Sequence, residues 1–288
     1  MNMQPTTHTR KVSQYYDRNT WLFNMFGKTG GTRNIHASLW GPGVSTSQEA
    51  SHYTNGLICQ LADQIRNKPA RILDLGCGVG ASMAYLAGHA AGPLELTGIT
   101  LSQRQAETGN ALSRSIRGEW HILAGDFHHL PETWTGQYDL AYALESFVHS
   151  PHPESFFREA ARVLTTGGQL AILDTFPTKP FSDHSSPVQE LLSDYQAYWK
   201  AGHILTTNET EAIASGHGLI LTGNDDLTPW VEKDRPRDRW IARFNRRFRP
   251  LTTLHPYLHA LRGGHAVQCG LQQGWLNYRM LTFQNSPA

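Results

Sequence analysis

Residues 71–80 have the sequence Arg71-Ile-Leu-Asp-Leu-Gly-Cys-Gly-Val-Gly80, an apolar run that ends in glycines at every second position. The apolar run predicts a buried β-strand, and the glycines predict a tight turn into a helix. Glycines in such a turn let backbone N–H groups approach a ligand that a Cβ atom would keep away. Because ligands of open α/β sheets bind outside the carboxyl ends of the strands, this turn is the first candidate for a binding site.

The sequence beyond this turn alternates between short apolar runs and helical patterns. The apolar runs are LELTGIT, WHILAGD, YDLAYAL and QLAILDTF. Such alternation predicts βαβ units, and hence a mainly parallel sheet with helices on both faces. The predicted fold class is therefore α/β, with a doubly wound sheet.

We expect three segments along the chain. Residues 1–66 are predicted to form an N-terminal helical cap and residues 67–176 the ligand-binding core. Residues 177–288 are predicted to hold the remaining core strands with inserted cap helices. Two stretches with helical character, at about 186–201 and 237–262, support these inserted helices.

Composition limits the class of function. The 288 residues carry a formal net charge of +1, so no overall field attracts the chain to nucleic acid. Three cysteines without CxxC spacing favour a reducing compartment. We see neither a signal peptide nor an apolar run of membrane-spanning length, and we therefore expect a cytoplasmic protein.

A glycine-rich turn also occurs in nicotinamide-dependent oxidoreductases, so the turn alone leaves two classes of enzyme open. Asp74 lies two residues before the first glycine. A carboxylate there would repel a dinucleotide pyrophosphate but would attract an ammonium group. The end of the second predicted strand, Gly98-Ile-Thr-Leu-Ser102, lacks the acidic residue that usually holds the ribose of NAD.

Four motifs together resemble the class I S-adenosylmethionine (SAM)-dependent methyltransferases. They are DLGCGVG at 74–80, GITLSQRQ at 98–105, GDFHHLP at 125–131 and EAARVLTTGGQLAILD at 159–174. The resemblance covers about residues 45–283 and is closest to the branch of tocopherol, sterol and cyclopropane-forming enzymes. Thr166 replaces the proline that usually precedes the paired glycines. The predicted fold is then Rossmann-like, with a seven-stranded, mostly parallel sheet, an antiparallel last strand and helical cap elements.

The resemblance implies SAM-binding roles for nine residues that follow the predicted strands. The methionine end would face the first turn, the ribose the second strand, the adenine the third strand and the sulfonium the fourth strand. The residues are Asp74, Gly76, Cys77 and Gly78 for the methionine end, Thr100 and Gln105 for the ribose hydroxyls, Asp126 and Phe127 for adenine, and Leu144 for the sulfonium.

Candidates for acid–base chemistry follow the fourth predicted strand. Glu145 and His149 are four residues apart, so they share a face if a helical turn begins there. Histidine is a plausible general base near neutral pH. Packing of His149 beside Pro151 is the structural alternative. Tyr16, on the first predicted helix, is a further catalytic candidate, with core packing as its alternative.

The remaining patterns leave their alternatives open. Seven arginines lie within residues 235–249. One interpretation is a helix whose arginines face solvent. The alternatives are contact with an anionic membrane surface and binding of an anionic group of the substrate. His255 and His259 have i, i+4 spacing but Pro256 lies between them, so we expect no metal site.

These observations predict a biosynthetic enzyme that transfers a methyl group from SAM to a small, largely apolar acceptor. An isoprenoid or aromatic acceptor is favoured, with carbon as the methylated atom. The alternatives are methylation of oxygen or nitrogen in a natural product, an NAD-dependent oxidoreductase, and a SAM-binding protein without turnover. If the protein does not bind SAM, Thr100 and Gln105 are expected to be ordinary polar residues at the surface.

Overall fold

A computed structural model describes residues 36–115, 120–233 and 256–286, together with Ile241 and Arg243. Its strands are β1 (Ala70–Leu75), β2 (Leu94–Thr100), β3 (Trp120–Ala124), β4 (Tyr138–Leu144), β5 (Leu164–Pro177), β6 (Leu219–Asp226) and β7 (Leu276–Asn285). They form a single sheet in the order β3-β2-β1-β4-β5-β7-β6. Strands β1 to β5 pair in parallel, and β7 is antiparallel to both β5 and β6. The predicted seven-stranded sheet with an antiparallel last strand is confirmed.

Helices cover both faces of this sheet. They are α1 (Ser47–Gln64), α2 (Ala81–His89), α3 (Gln103–Ser115), α4 (Pro153–Val163), α5 (Ser186–Trp199), α6 (Thr207–Ser215) and α7 (Pro256–Gln273). Apolar side chains of the central strands point to both faces and are fully buried, among them Ile72 and Leu140 on one face and Leu73 and Ala141 on the other. Burial on both faces explains the continuous apolar runs in the sequence.

Thr46 caps the start of helix α1. Its side chain accepts the Glu49 N–H at 3.2 Å, and the Glu49 carboxylate accepts the Thr46 N–H at 2.9 Å. This reciprocal pair is a capping box, which satisfies two N–H groups that the helix itself leaves unpaired. The helix then buries Ile58 and Ala62 against the sheet.

Helices α5 and α7 pack against each other. Arg262 donates to the Asp194 carboxylate at 2.7 Å, and its guanidinium lies 4.5 Å from the centre of the Tyr198 ring. A Cβ atom at Gly263 would lie 2.7 Å from the Trp199 backbone nitrogen, so glycine permits this close approach. The predicted helix at 186–201 is observed, whereas most of the stretch at 237–262 lies outside the described residues.

Within the part of the chain that the structure describes, no helix combines the length and hydropathy needed to cross a membrane.

Candidate active site

The carboxyl ends of the parallel strands meet at one edge of the sheet, and the predicted site residues on described parts of the chain follow those ends. The first turn holds Gly76, Gly78 and Gly80 at backbone φ angles of +104°, +55° and +78°. These angles lie in the left-handed region that favours glycine. A Cβ atom would lie 2.5 Å from the Ser146 Cβ at Gly76 and 2.8 Å from the Ile122 Cδ1 at Gly80, but would meet nothing within 4 Å at Gly78.

Three backbone N–H groups of this turn have partners within the protein. Those of Gly76 and Cys77 donate to the Ile99 carbonyl at 2.9 and 3.0 Å, and that of Gly80 donates to the Cys77 carbonyl. The N–H groups of Gly76 and Cys77 thus hold the turn against β2, and that of Gly80 closes the turn itself. Gly78 is the position in the turn that stays open.

Asp74 ends β1 as a buried carboxyl group, 3% exposed. Burial raises its pKa to about 7. Tyr142 is its neighbour on β4 and interacts with the carboxyl group, which partly offsets the effect of burial on the pKa, although the Tyr142 hydroxyl has no partner at full hydrogen-bonding geometry among the described residues. A buried carboxyl group with so little compensation is costly, and a cationic ligand relieves this cost.

The two predicted ribose ligands contact each other at the end of β2. The Thr100 hydroxyl donates to the Gln105 Oε1 at 2.7 Å, and both side chains are buried. The Gln105 N–H donates to the Ser102 Oγ at 3.1 Å, which fixes the start of α3. The structure therefore brings Thr100 and Gln105 together as one polar pair.

Asp126 and Phe127 follow β3. Burial alone would raise the pKa of Asp126, but hydrogen bonds from His128 hold it below its usual range. The Asp126 Oδ1 lies 2.6 Å from the His128 Nδ1, and the His128 Nε2 lies 2.7 Å from the Ser150 Oγ. The Phe127 ring packs edge-on against Phe156 at 5.4 Å. Asp126 is thus connected to Ser150, which directly follows His149.

Glu145 follows Leu144 at the end of β4 with φ +50°, an uncommon angle for a residue with a side chain. Its Oε1 accepts the Ala37 N–H at 2.7 Å and the Tyr278 hydroxyl at 2.9 Å. Burial raises the pKa of Glu145 to about 6, so the group is mainly ionised at neutral pH. Backbone strain at a buried, ionisable residue is characteristic of functional sites.

The turn that carries His149 differs from the helical turn that the sequence suggested. It is a short 3-10 turn over Phe147–His149, so it begins after Glu145. The His149 Nδ1 lies 2.9 Å from the Lys200 carbonyl oxygen. Because a carbonyl oxygen only accepts, Nδ1 carries the proton, and the lone pair of the neutral ring is on Nε2. The two candidates have separate partners: His149 binds the Lys200 carbonyl, whereas Glu145 binds Ala37 and Tyr278.

Asp174 is a third buried carboxyl group at this edge, near the end of β5. It accepts the Val148 N–H at 2.9 Å and the Thr175 N–H at 2.9 Å. Burial, with a smaller contribution from Glu145, raises its pKa to about 8. Asp174 was not predicted as a site residue, although its position at the end of a predicted strand was a usable signal.

Several predicted features lie outside the described residues. These are Tyr16, the side chains of His255 and His259, and the arginine-rich segment apart from Arg243. Among the residues that the structure does describe, no group of three or more histidine, cysteine, aspartate or glutamate side chains is placed to hold a metal ion.

Comparison with known proteins assigns this chain to a family. Residues 73–172 match a family described as a methyltransferase domain. The chain is 28% identical over 230 residues to the methyltransferase GfsG of Streptomyces halstedii, which covers 79% of this chain and 78% of that protein. It is 26% identical over 224 residues to a sterol 4-C-methyltransferase of Caenorhabditis elegans, which covers 76% of this chain and 64% of that protein.

The protein is a SAM-dependent methyltransferase that resembles the class I enzymes.

A solved structure extends the likeness to almost the whole fold of this methyltransferase. The geranyl diphosphate C-methyltransferase of Streptomyces coelicolor A3(2) superposes with a TM-score of 0.70 at 16% identity, covering 97% of this chain and 98% of that one. The predicted resemblance to the class and to its sterol and tocopherol branch is confirmed. The alternative of an NAD-dependent oxidoreductase is set aside.

SAM is the cofactor of this methyltransferase, and the residues at the sheet edge fit its chemistry. The methionine part of SAM carries an ammonium group, which suits the buried Asp74 carboxyl and the unsatisfied Tyr142 hydroxyl. The open position at Gly78 leaves room for a ligand against the backbone. The Thr100–Gln105 pair offers polar atoms to ribose hydroxyls.

Proposed function

We propose that this enzyme transfers the methyl group of SAM to a carbon atom of a small, largely apolar isoprenoid or aromatic acceptor. The observation that supports carbon as the acceptor atom is the pair of carboxyl groups at the ends of β4 and β5, the partly buried Glu145 and the buried Asp174. Their pKa values, raised to about 6 and about 8, imply roughly one shared negative charge near neutral pH. No lysine or arginine side chain neutralises either group within the described residues.

A negative site at which the described residues place no cation suits an acceptor that becomes positive during the reaction. SAM, when bound, supplies an electrophilic methyl group. A carbon–carbon double bond that takes up this methyl group becomes a carbocation, which the Glu145 carboxylate stabilises electrostatically. Loss of a proton from the neighbouring carbon restores the double bond, and the His149 Nε2 is the proposed acceptor of that proton. The names of the sterol and geranyl diphosphate C-methyltransferases agree with this chemistry for those proteins.

The cofactor orientation in this proposal follows the strand order. Asp74 and the backbone at Gly76, Cys77 and Gly78 hold the methionine end, and Leu144 lies beside the sulfonium. Thr100 and Gln105 bind the ribose hydroxyls, with Asp126 and Phe127 at the adenine. In this orientation we expect the methyl end of the cofactor to point toward Glu145 and His149.

Product identification tests the proposal. The enzyme is incubated with [13C-methyl]SAM and an extract of the metabolites of its source, and the labelled product is isolated. We expect label in a largely apolar product, with a 13C chemical shift typical of a methyl group on carbon. A methyl group on oxygen or nitrogen would contradict the carbon assignment, and the absence of any labelled product would favour a SAM-binding protein without turnover.

The open backbone position at Gly78 gives the first binding prediction. Gly78→Val places a branched side chain where the cofactor should meet the turn, and we expect SAM affinity to fall tenfold or more, about 1.4 kcal/mol. Gly136→Val is the matched control, because Gly136 also has a positive φ of +63° and nothing within 4 Å of a Cβ atom. Calorimetric titration that gave equal affinities for both variants would remove Gly78 from the site.

The polar pair at the end of β2 gives the second binding prediction. Thr100→Val and Gln105→Leu each remove a proposed ribose partner, and each should weaken SAM binding by about 1–2 kcal/mol. Thr108→Val is the control, since its exposed hydroxyl donates to the Arg104 carbonyl at 2.8 Å within α3. If the titrated affinity changed no more in the pair variants than in the control, the ribose assignment would be wrong.

A further inference from the structure

The 3-10 turn at Phe147–His149 is held by a short loop that directly follows α5. Three atoms of this loop bond three successive residues of the turn. The Lys200 carbonyl accepts from the His149 Nδ1 at 2.9 Å, the Gly202 N–H donates to the Val148 carbonyl at 2.7 Å, and the His203 Nε2 lies 3.1 Å from the Phe147 carbonyl. We call residues 200–203 the clasp loop.

The clasp loop sits tightly against the turn. A Cβ atom at Gly202 would lie 2.4 Å from the carbonyl carbon and oxygen of Ser150, so only glycine fits there without moving the backbone. The His203 ring packs against the Phe147 ring, with 4.5 Å between centroids. Lys200 has φ +63°, which is strained for a residue with a side chain. A strained residue and a close backbone contact persist only where the surrounding structure enforces them.

We propose that the clasp loop is a positioning element for His149, which fixes the proton on Nδ1 and so makes Nε2 the basic nitrogen of the ring. This inference rests on the proposed function, in which His149 takes a proton. A hydrogen bond at one ring nitrogen decides which tautomer is present and how the ring is oriented. Here that bond comes from a backbone carbonyl, which cannot titrate.

His203 supports the clasp through a neutral ring. Burial lowers its pKa to about 4, so it is uncharged at physiological pH. Because the Phe147 carbonyl only accepts, the His203 Nε2 carries the proton and donates to it. His203 therefore acts on the turn through one hydrogen bond and its ring contact with Phe147. Lys200, Gly202 and His203 are positioning residues, since none is proposed to touch the acceptor.

The test combines steady-state kinetics with nitrogen NMR of 15N-histidine-labelled enzyme. His149 is assigned by the resonance that disappears in His149→Ala. In the native enzyme we expect the shifts of a neutral ring protonated at Nδ1. In Gly202→Ala we expect a mixture of tautomers, a fall in kcat of about 10- to 100-fold and SAM affinity within about twofold of native. Gly216→Ala is the control, because Gly216 ends α6 with helical backbone angles that alanine also adopts.

A second pair of variants covers the case in which Gly202→Ala does not fold. His203→Leu removes the donor to Phe147, whereas His203→Gln retains an N–H donor at about the same reach. We expect kcat and the acidic limb of its pH profile to change in the leucine variant and to be restored in the glutamine variant. An unchanged His149 tautomer and kcat in the clasp variants, with His149→Ala impaired, would overturn the inference. Full activity of His149→Ala would instead overturn the base assignment in the proposed function.

Discussion

His149→Ala is expected to lower kcat by about 10²–10⁴-fold and to leave SAM affinity nearly unchanged. The reasons are the position of His149 and the tautomer of its ring. His149 follows β4, at the end proposed for the cofactor's methyl group, and its Nδ1 bond to the Lys200 carbonyl leaves the lone pair on Nε2. kcat should be measured at saturating SAM and acceptor, because saturation removes any effect of weakened cofactor binding. His121→Ala, an exposed histidine on β3, is the control.

The pH profile gives the same prediction a second readout. A base must be unprotonated to act, so kcat of the native enzyme should fall on the acidic side, and this limb should vanish in His149→Ala. Glu145→Gln keeps an acceptor for Ala37 and Tyr278 but loses the charge, so we expect a loss smaller than that of His149→Ala. If His149 is structural instead, the alanine variant will lose thermal stability and keep its turnover per folded molecule.

Asp74→Asn is expected to weaken SAM binding by about 10- to 100-fold, which corresponds to about 1.4–2.7 kcal/mol. The buried Asp74 carboxyl is the proposed partner of the methionine ammonium, and asparagine removes its charge while keeping its shape. The same change should stabilise the cofactor-free protein above about pH 7. The raised pKa means that folding favours protonated Asp74, so the native protein loses stability as pH rises from the usual carboxyl pKa of 3.8 to about 7, and the variant does not.

The pH dependence of binding follows from the same group. Below its pKa of about 7, Asp74 must release a proton when it pairs with an ammonium group. SAM affinity of the native enzyme should therefore fall by up to about tenfold per pH unit below that value, and Asp74→Asn should show no such dependence. Titration calorimetry in two buffers of different ionisation enthalpy measures the released proton directly. A SAM affinity of the native enzyme that does not change with pH would contradict this role. So would an Asp74→Asn variant that is less stable than the native protein and binds SAM equally tightly.

The core of the fold was predictable because its strands are buried on both faces. Burial on both faces produces continuous apolar runs such as the one that ends at Asp74, and the glycines after it can form only a tight turn. Thr100 and Gln105 were also found from local sequence, since the residues lie five apart and their motif places both at the end of one strand.

The acceptor side was less predictable because its contacts join residues that are distant in the chain. Tyr278 binds Glu145 across 133 positions, and β7 reaches this edge only because it is antiparallel. The partner of His149 is the backbone carbonyl of Lys200, and a carbonyl group has no sequence signature. The i, i+4 spacing of Glu145 and His149 was misleading, because Glu145 adopts a positive φ and the turn begins at Phe147.

A crystal structure of the enzyme with S-adenosylhomocysteine tests the central claim most directly. We expect the amino group of the ligand to lie within hydrogen-bonding distance of the Asp74 carboxylate. The ribose hydroxyls should contact Thr100 and Gln105, and the sulfur atom should face the Phe147–His149 turn. A ligand bound away from the carboxyl edge of the sheet, or bound there with its sulfur atom facing away from His149, would contradict it.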